Sequence, residues 1–241
     1  MSSFVVALRF LTLCPWPRSG NDPVEKPGRS AIFFPVIGFG LGCILVAAET
    51  GLSLLASPGL TGVVLVALLA VLTRSLHLDG LGDTFDALGA SRERALEAMA
   101  DSRIGAFGAV AIALTILFKV EAIAGLGVDR WRALLAAPVL GRWAMVLCGY
   151  RSVAARPGLG SLFANGLEAK HLLVATAIAL VLVSAVLRGP GLVVMAWVAA
   201  VGLGAKAYAH RRLGGVTGDV LGAIGELGET SVLALLALGA R

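Results

Sequence analysis

The chain has 241 residues, of which 58% are hydrophobic and 15% charged, and its mean hydropathy is +0.89. Water-soluble domains carry about 25% charged residues, so this composition excludes a soluble globule and points to lipid as the solvent. The net charge of +5 does not point to nucleic acid, because the basic residues are scattered between apolar runs with no aromatic stacking platform beside them.

No polar stretch is long enough to build a separate soluble core, so residues 1–241 read as one all-α membrane domain, a polytopic helical bundle. Phe4 to Leu13 is apolar but interrupted by Arg9 and followed by Pro15-Trp16-Pro17. It lacks the basic leader and small-residue cut site of a signal peptide, and residues 1–30 are expected to lie at the membrane interface. A hydrocarbon core of about 30 Å asks for about 20 apolar residues per helix. The runs near Ala31 to Leu55, Leu60 to Leu78, Ile104 to Leu126, Leu134 to Tyr150, His171 to Leu187, Leu192 to Tyr208 and Val220 to Leu238 predict about seven spans. The first is long enough to tilt or to kink at Pro35, and Gly38 with Gly42 offers a small-residue contact face. Cys14, Cys43 and Cys148 form no close pair, so neither a thiolate metal cluster nor a disulfide is expected.

With the N-terminus in the cytoplasm, the inside segments hold Arg9, Arg18, Lys26, Arg29, Arg74, Arg92, Arg94, Arg103, Arg151, Arg156, Lys170, Lys206, Arg211 and Arg212. The outside turns then hold only Arg130, Arg132, Arg188 and Arg241, an asymmetry that supports this orientation. The same orientation gathers the carboxylates of Asp79 to Asp101, Asn165 to Glu168 and Asp219 to Glu229 on the inside face. Topology does not sort acids to one side, so the clustering asks for a cationic partner.

His77-Leu78-Asp79-Gly80-Leu81-Gly82-Asp83-Thr84-Phe85-Asp86 closes the second run. On a helix, Asp79, Asp83 and Asp86 fall at i, i+4 and i+7 and share one stripe. Like charges at that spacing repel unless a cation lies between them, and carboxylate oxygens suit a hard ion, Mg²⁺ or Mn²⁺. The plain alternative is a solvated helix end neutralised by Arg74, Arg92 and Arg94. Asp101-Ser102-Arg103 opens the next run; Arg103 suits a phosphate clamp and Ser102 a helix cap, while a capped, snorkelled helix start explains both as well. Deeper in that run are Lys119 and Glu121, and Arg142 lies in the fourth. They are expected to pair with acids between helices, or Lys119 to snorkel to the site.

Gly214-Gly215-Val216-Thr217-Gly218-Asp219 leads into the last run, with Glu226 and Glu229 following. Glycines before a helix start resemble a phosphate cradle, although such turns are common between membrane helices. Two Glu residues inside an apolar helix need partners and are functional candidates. His210, Arg211 and Arg212 suit phosphate or anionic membrane lipid.

In their order these motifs resemble the cobalamin synthase (adenosylcobinamide-GDP ribazoletransferase) family. The resemblance runs through Arg9-Phe10-Leu11-Thr12 with Pro15 and Pro17, Phe34-Pro35 with Gly38, His77 to Asp86, Asp101 to Gly105, Gly158-Leu159-Gly160 with Phe163, Gly215 with Thr217-Gly218-Asp219, Leu221-Gly222-Ala223 and Glu226-Leu227. Ala87 stands where the family usually has Gly, and Val216 where it often has Gln; neither departure removes a candidate ligand. The resemblance implies a multipass inner-membrane enzyme with a cytoplasmic site, Mg²⁺ as cofactor, and adenosylcobinamide-GDP and α-ribazole or its 5′-phosphate as substrates. It leaves open a homo-oligomer and contacts with other corrinoid-pathway enzymes.

On that reading residues 79–103 and 209–219 carry the active site. Asp79, Asp83 and Asp86, with Asp219 as a further ligand, hold the metal, and one of them or Glu226 accepts the attacking hydroxyl's proton. Arg103, Ser102 and Lys119 steady phosphate, Gly215, Thr217 and Gly218 cradle it, and His77 acts as a base or orients an aspartate. A CDP-alcohol phosphotransferase also clusters aspartates, but its DGxxAR pattern is missing, since Leu81-Gly82-Asp83-Thr84 follows Asp79-Gly80. A cation transporter would place acids near the bilayer midplane rather than at helix ends, and a purely structural subunit leaves the acid cluster unexplained.

Overall fold

The computed structural model describes residues 2–14 and 27–239; Pro15-Trp16-Pro17, Arg18, Lys26 and Arg241 fall outside the described residues. The chain runs through α1 (Ser3–Leu11), α2 (Pro27–Ser30), α3 (Phe34–Leu52), α4 (Pro58–Leu72), α5 (Leu76–Gly89) and α6 (Ala95–Ala98). It continues through α7 (Ala106–Gly125), α8 (Arg130–Gly149), α9 (Leu159–Gly166), α10 (Ala169–Leu187), α11 (Gly191–Leu213) and α12 (Gly218–Gly239). The described residues form no strand beyond an isolated bridge between Ala154 and Val216. Among the described residues six helices are long and apolar enough to cross a membrane, and α4 with α5 makes a seventh if that bent pair is one span. The all-α polytopic bundle is therefore the fold.

α8 is the axis of the bundle, buried along nearly its whole length, and α3, α10, α11 and α12 pack around it. The outer helices show the reverse pattern: Leu114, Leu117, Phe118, Leu173, Val181 and Trp197 are exposed large apolar residues, as a lipid-facing surface requires. Gly38 and Gly42 form the expected contact face. A Cβ on Gly38 would stand 2.3 Å from the Pro138 carbonyl oxygen, and one on Gly42 2.8 Å from that of Leu134, so α3 and α8 meet backbone to backbone. Pro35 sits in the first turn of α3, where its missing N–H would have no helical acceptor; it starts the helix and does not kink it.

The second run departs from expectation. The apolar stretch to Leu78 is not one straight span, because α4 stops at Leu72 and α5 leaves it at 91°. Arg74 and Ser75 both take left-handed φ values, 55° and 53°, a conformation that costs non-glycine residues energy and persists where tertiary contacts impose it. Those contacts are visible: the Arg74 guanidinium donates to the Arg9 carbonyl at 3.1 Å, and the Leu13 N–H to the Leu72 carbonyl at 2.8 Å. α5 thereby packs against α7 and α12. α1 is bound to the bundle through Val6, Ala7 and Leu11, all buried, and Phe10 stacks on Phe34 and Phe163 at 6.0 and 6.5 Å.

Candidate active site

α5 packs against the start of α12. Gly80 makes that approach possible, since a Cβ there would stand 2.7 Å from the Asp219 carbonyl oxygen. Asp83 lies within electrostatic reach of Asp79, Asp219, Asp86 and Arg156, and Arg156 donates to the Asp219 carboxylate at 2.9 Å. Asp86 is engaged differently. Its two oxygens accept from the Gly105 and Gly108 N–H groups at 2.7 and 2.8 Å, so it holds the N-terminus of α7, whose first N–H groups have no helical acceptors. Ser102, expected to cap that helix, does not; Gly105 is the N-cap residue. Among the described residues no group of three or more His, Cys, Asp or Glu side chains stands at metal-ligating distance.

Beside the acids opens a cavity of about 1100 Å³, and Asp219 belongs to both. Its wall includes Arg9, Arg74, Arg156, His77, Gly158, Gly160, Ser161, Thr217 and Gly218. Volumes of about 300–1,000 Å³ serve drug-sized ligands, so this one has room for a large substrate. His77 is 1% exposed, and neither of its ring nitrogens has a hydrogen-bond partner among the described residues.

A family model described as cobalamin-5-phosphate synthase matches residues 3–237. The chain belongs to the cobalamin-5-phosphate synthase family. Among its curated relatives, a protein of Geotalea daltonii named adenosylcobinamide-GDP ribazoletransferase is 40% identical over 242 residues, covering 99% of this chain and 98% of the relative. Proteins of the same name from Syntrophobacter fumaroxidans and a Roseiflexus species are 43% and 42% identical, covering 98% and 97% of this chain and 98% and 88% of those relatives. No solved structure matches the chain.

In this family member the remaining expected residues divide. Thr217 caps α12 by accepting the Val220 N–H at 3.2 Å, and Gly218 opens the helix on the cavity wall. Gly215 is absent from that wall; a Cβ there would stand 2.4 Å from the Val153 carbonyl oxygen, so it serves close packing of two loops. Lys119 does not snorkel to the cavity. Its ammonium meets Glu226 at 2.5 Å and Glu229 at 2.7 Å, and Arg142 abuts Glu229, all four side chains being almost fully buried. Glu226 is thus enclosed in an ion network rather than open to the cavity. Arg103 points into solvent with 87% of its side chain exposed and pairs with Asp101 at 2.8 Å. That hydrogen bond holds the Asp101 carboxyl down at about 2. Arg212 donates to the Leu88 and Ala90 carbonyls and so closes the C-terminus of α5.

The cations on the cavity wall, Arg9, Arg74 and Arg156, were not among the expected site residues. For Arg156 a signal was present, since Arg156-Pro157-Gly158-Leu159-Gly160 places a cation and paired glycines just before a helix start.

Proposed function

We propose that this chain joins adenosylcobinamide-GDP to α-ribazole, or its 5′-phosphate, with release of GMP, by metal-assisted phosphoryl-group transfer. Family membership supports the cobalamin-synthesising activity. The observation that supports the metal is an excess of acid: Asp79, Asp219 and Asp86 all lie within electrostatic reach of Asp83, and Arg156 pairs with Asp219 at 2.9 Å. Mg²⁺ binds through one or two carboxylates and keeps waters for substrate phosphate, so a full protein cage is not required, and the two-aspartate face of α5 with Asp219 opposite fits it. Bound there, the ion would neutralise charge on the diphosphate.

The chain's own groups do the rest. A ribose hydroxyl of α-ribazole attacks the cobinamide-side phosphorus, the bond from that phosphorus to the GMP oxygen breaks, and the hydroxyl proton passes to Asp83 or Asp79. Arg156 and Arg74 steady phosphate charge in place, where positioning supplies most of the rate. The site faces the cytoplasm and the protein sits in the inner membrane, a reading supported by the excess of Lys and Arg on that side.

The test is turnover of purified wild-type protein with adenosylcobinamide-GDP and α-ribazole, following GMP. Release that requires Mg²⁺ and stops with chelator is expected; full release in chelator would remove the metal.

A further inference from the structure

A second cavity, of about 290 Å³, lies apart from the acids between α5 and α11, both of which pack on α12. Its floor is the stripe Val220, Ile224 and Leu227 of α12, at i, i+4 and i+7. Phe85 and Leu88 of α5 form one rim, and Ala205 and Tyr208 of α11 the other. Val220 and Ile224 are buried, the first three rim residues half-buried, and Tyr208 is exposed, so the cavity is a trough with an open side. Only Thr84 and Tyr208 among its lining residues carry a polar atom on the side chain. A water held there would lack the two to four polar partners it needs, whereas an apolar chain restores the dispersion contacts that an open gap forfeits. The trough spans the first turns of α12 and the last turns of α11, both long and apolar enough to cross a membrane. That is the depth at which the headgroup and upper chain of a lipid lie.

The end of the trough is basic. Arg212 donates to the Leu88 and Ala90 carbonyls, which fixes its guanidinium where the α5 rim stops. It stands one turn beyond Tyr208, beside Arg211, which is exposed. Arg92 and Arg212 are both within electrostatic reach of Glu93. Arg211, Arg212 and Arg92 against Glu93 leave positive charge at this end. An apolar trough that ends in excess cations complements an acyl chain joined to an anionic headgroup.

We infer that the trough between α5 and α11 is a binding site for an anionic phospholipid, whose acyl chain lies along α12 and whose phosphate meets Arg211 and Arg212. The site is independent of the transferase reading, since none of its residues is asked to touch the reactants.

The test titrates the purified full chain in detergent with phosphatidylglycerol or with phosphatidylcholine of the same acyl chains, counting bound lipid by native mass spectrometry. Wild type is expected to bind phosphatidylglycerol at least about 5-fold more tightly, the contribution of one basic residue near a lipid surface. Arg211→Gln should lose about 5-fold for phosphatidylglycerol and keep its affinity for phosphatidylcholine. Ala205→Phe puts a ring into the trough and should weaken both lipids. Gly204→Leu is its companion: Gly204 also lines the trough, a Cβ there meets nothing within 4 Å, and leucine favours the helix over glycine. It too should weaken both lipids, with a melting temperature in lipid-free detergent at or above wild type. Arg132→Gln, at the far end of the bundle, should bind as wild type. Equal affinity of wild type for the two lipids overturns the anionic assignment. Phosphatidylglycerol binding that survives Gly204→Leu and Ala205→Phe, even where Arg211→Gln removes it, overturns the trough and leaves only charge attraction at the surface.

Discussion

Two charged clusters share α12 and differ in their balance. Inside the bundle, Lys119 and Arg142 meet Glu226 and Glu229, two cations against two carboxylates, with no side chain of the four more than 5% exposed. At the helix start, Asp83 lies within electrostatic reach of Asp79, Asp86 and Asp219, Arg156 pairs with Asp219, and Asp219 and Arg156 are each about one-third exposed. A lipid-embedded group of charges has no water to complement an excess, so it must close on itself. A water-facing group tolerates an excess that an ion or substrate then complements. Thus the acids buried deepest hold the bundle together, and those at its end remain open to chemistry.

Breaking the closed cluster is expected to have the largest effect. Glu229→Gln leaves Lys119 and Arg142 with one carboxylate, and loss of one partner from a buried ion pair costs about 3–5 kcal/mol; thermal unfolding in detergent should register it. The double substitution Lys119→Met with Glu226→Gln keeps the remaining pair balanced and should recover most of that loss. Equal instability of the double variant would show that balance is not what matters.

In the open cluster, Asp83→Asn should leave unfolding near wild type and lower GMP release at least about 100-fold, the upper range for disturbing groups around a metal ligand. Wild-type turnover in that variant would end its role. Asp86→Ala tests which cluster Asp86 belongs to. As a cap of α7 it should cost about 0.5–2 kcal/mol of stability and leave the Mg²⁺ dependence of turnover where it was; a shifted metal requirement would return it to the open set. Arg103→Ala should have the smallest effect, with melting temperature and turnover both at wild type, because an exposed ion pair contributes little.

Much of the bundle was legible in the chain. Each apolar run but the second falls on a single helix, and the glycines of the first run mark its contact with α8. The break after Leu72 leaves no mark in the second run, because its apolar residues continue while the left-handed pair Arg74-Ser75 is held by contacts from Arg9 and Leu13, distant in sequence. Glu226 and Lys119 were both recognised as costly intramembrane charges, but only their mutual approach turns a candidate base and a candidate phosphate ligand into one buried pair. Arg156 went unread as a site residue because its importance depends on a loop tied to residues some sixty positions later.

Composition and hydropathy period were enough to set the solvent, the helical class and the order of the spans, since burial of apolar surface and satisfaction of backbone groups in lipid depend on local runs of residues. Which charges face one another was settled by the folded chain alone. A charged side chain's partner is a matter of distance in space, and the 91° turn after α4 with the bridge between Ala154 and Val216 brings together groups that no spacing along the chain relates.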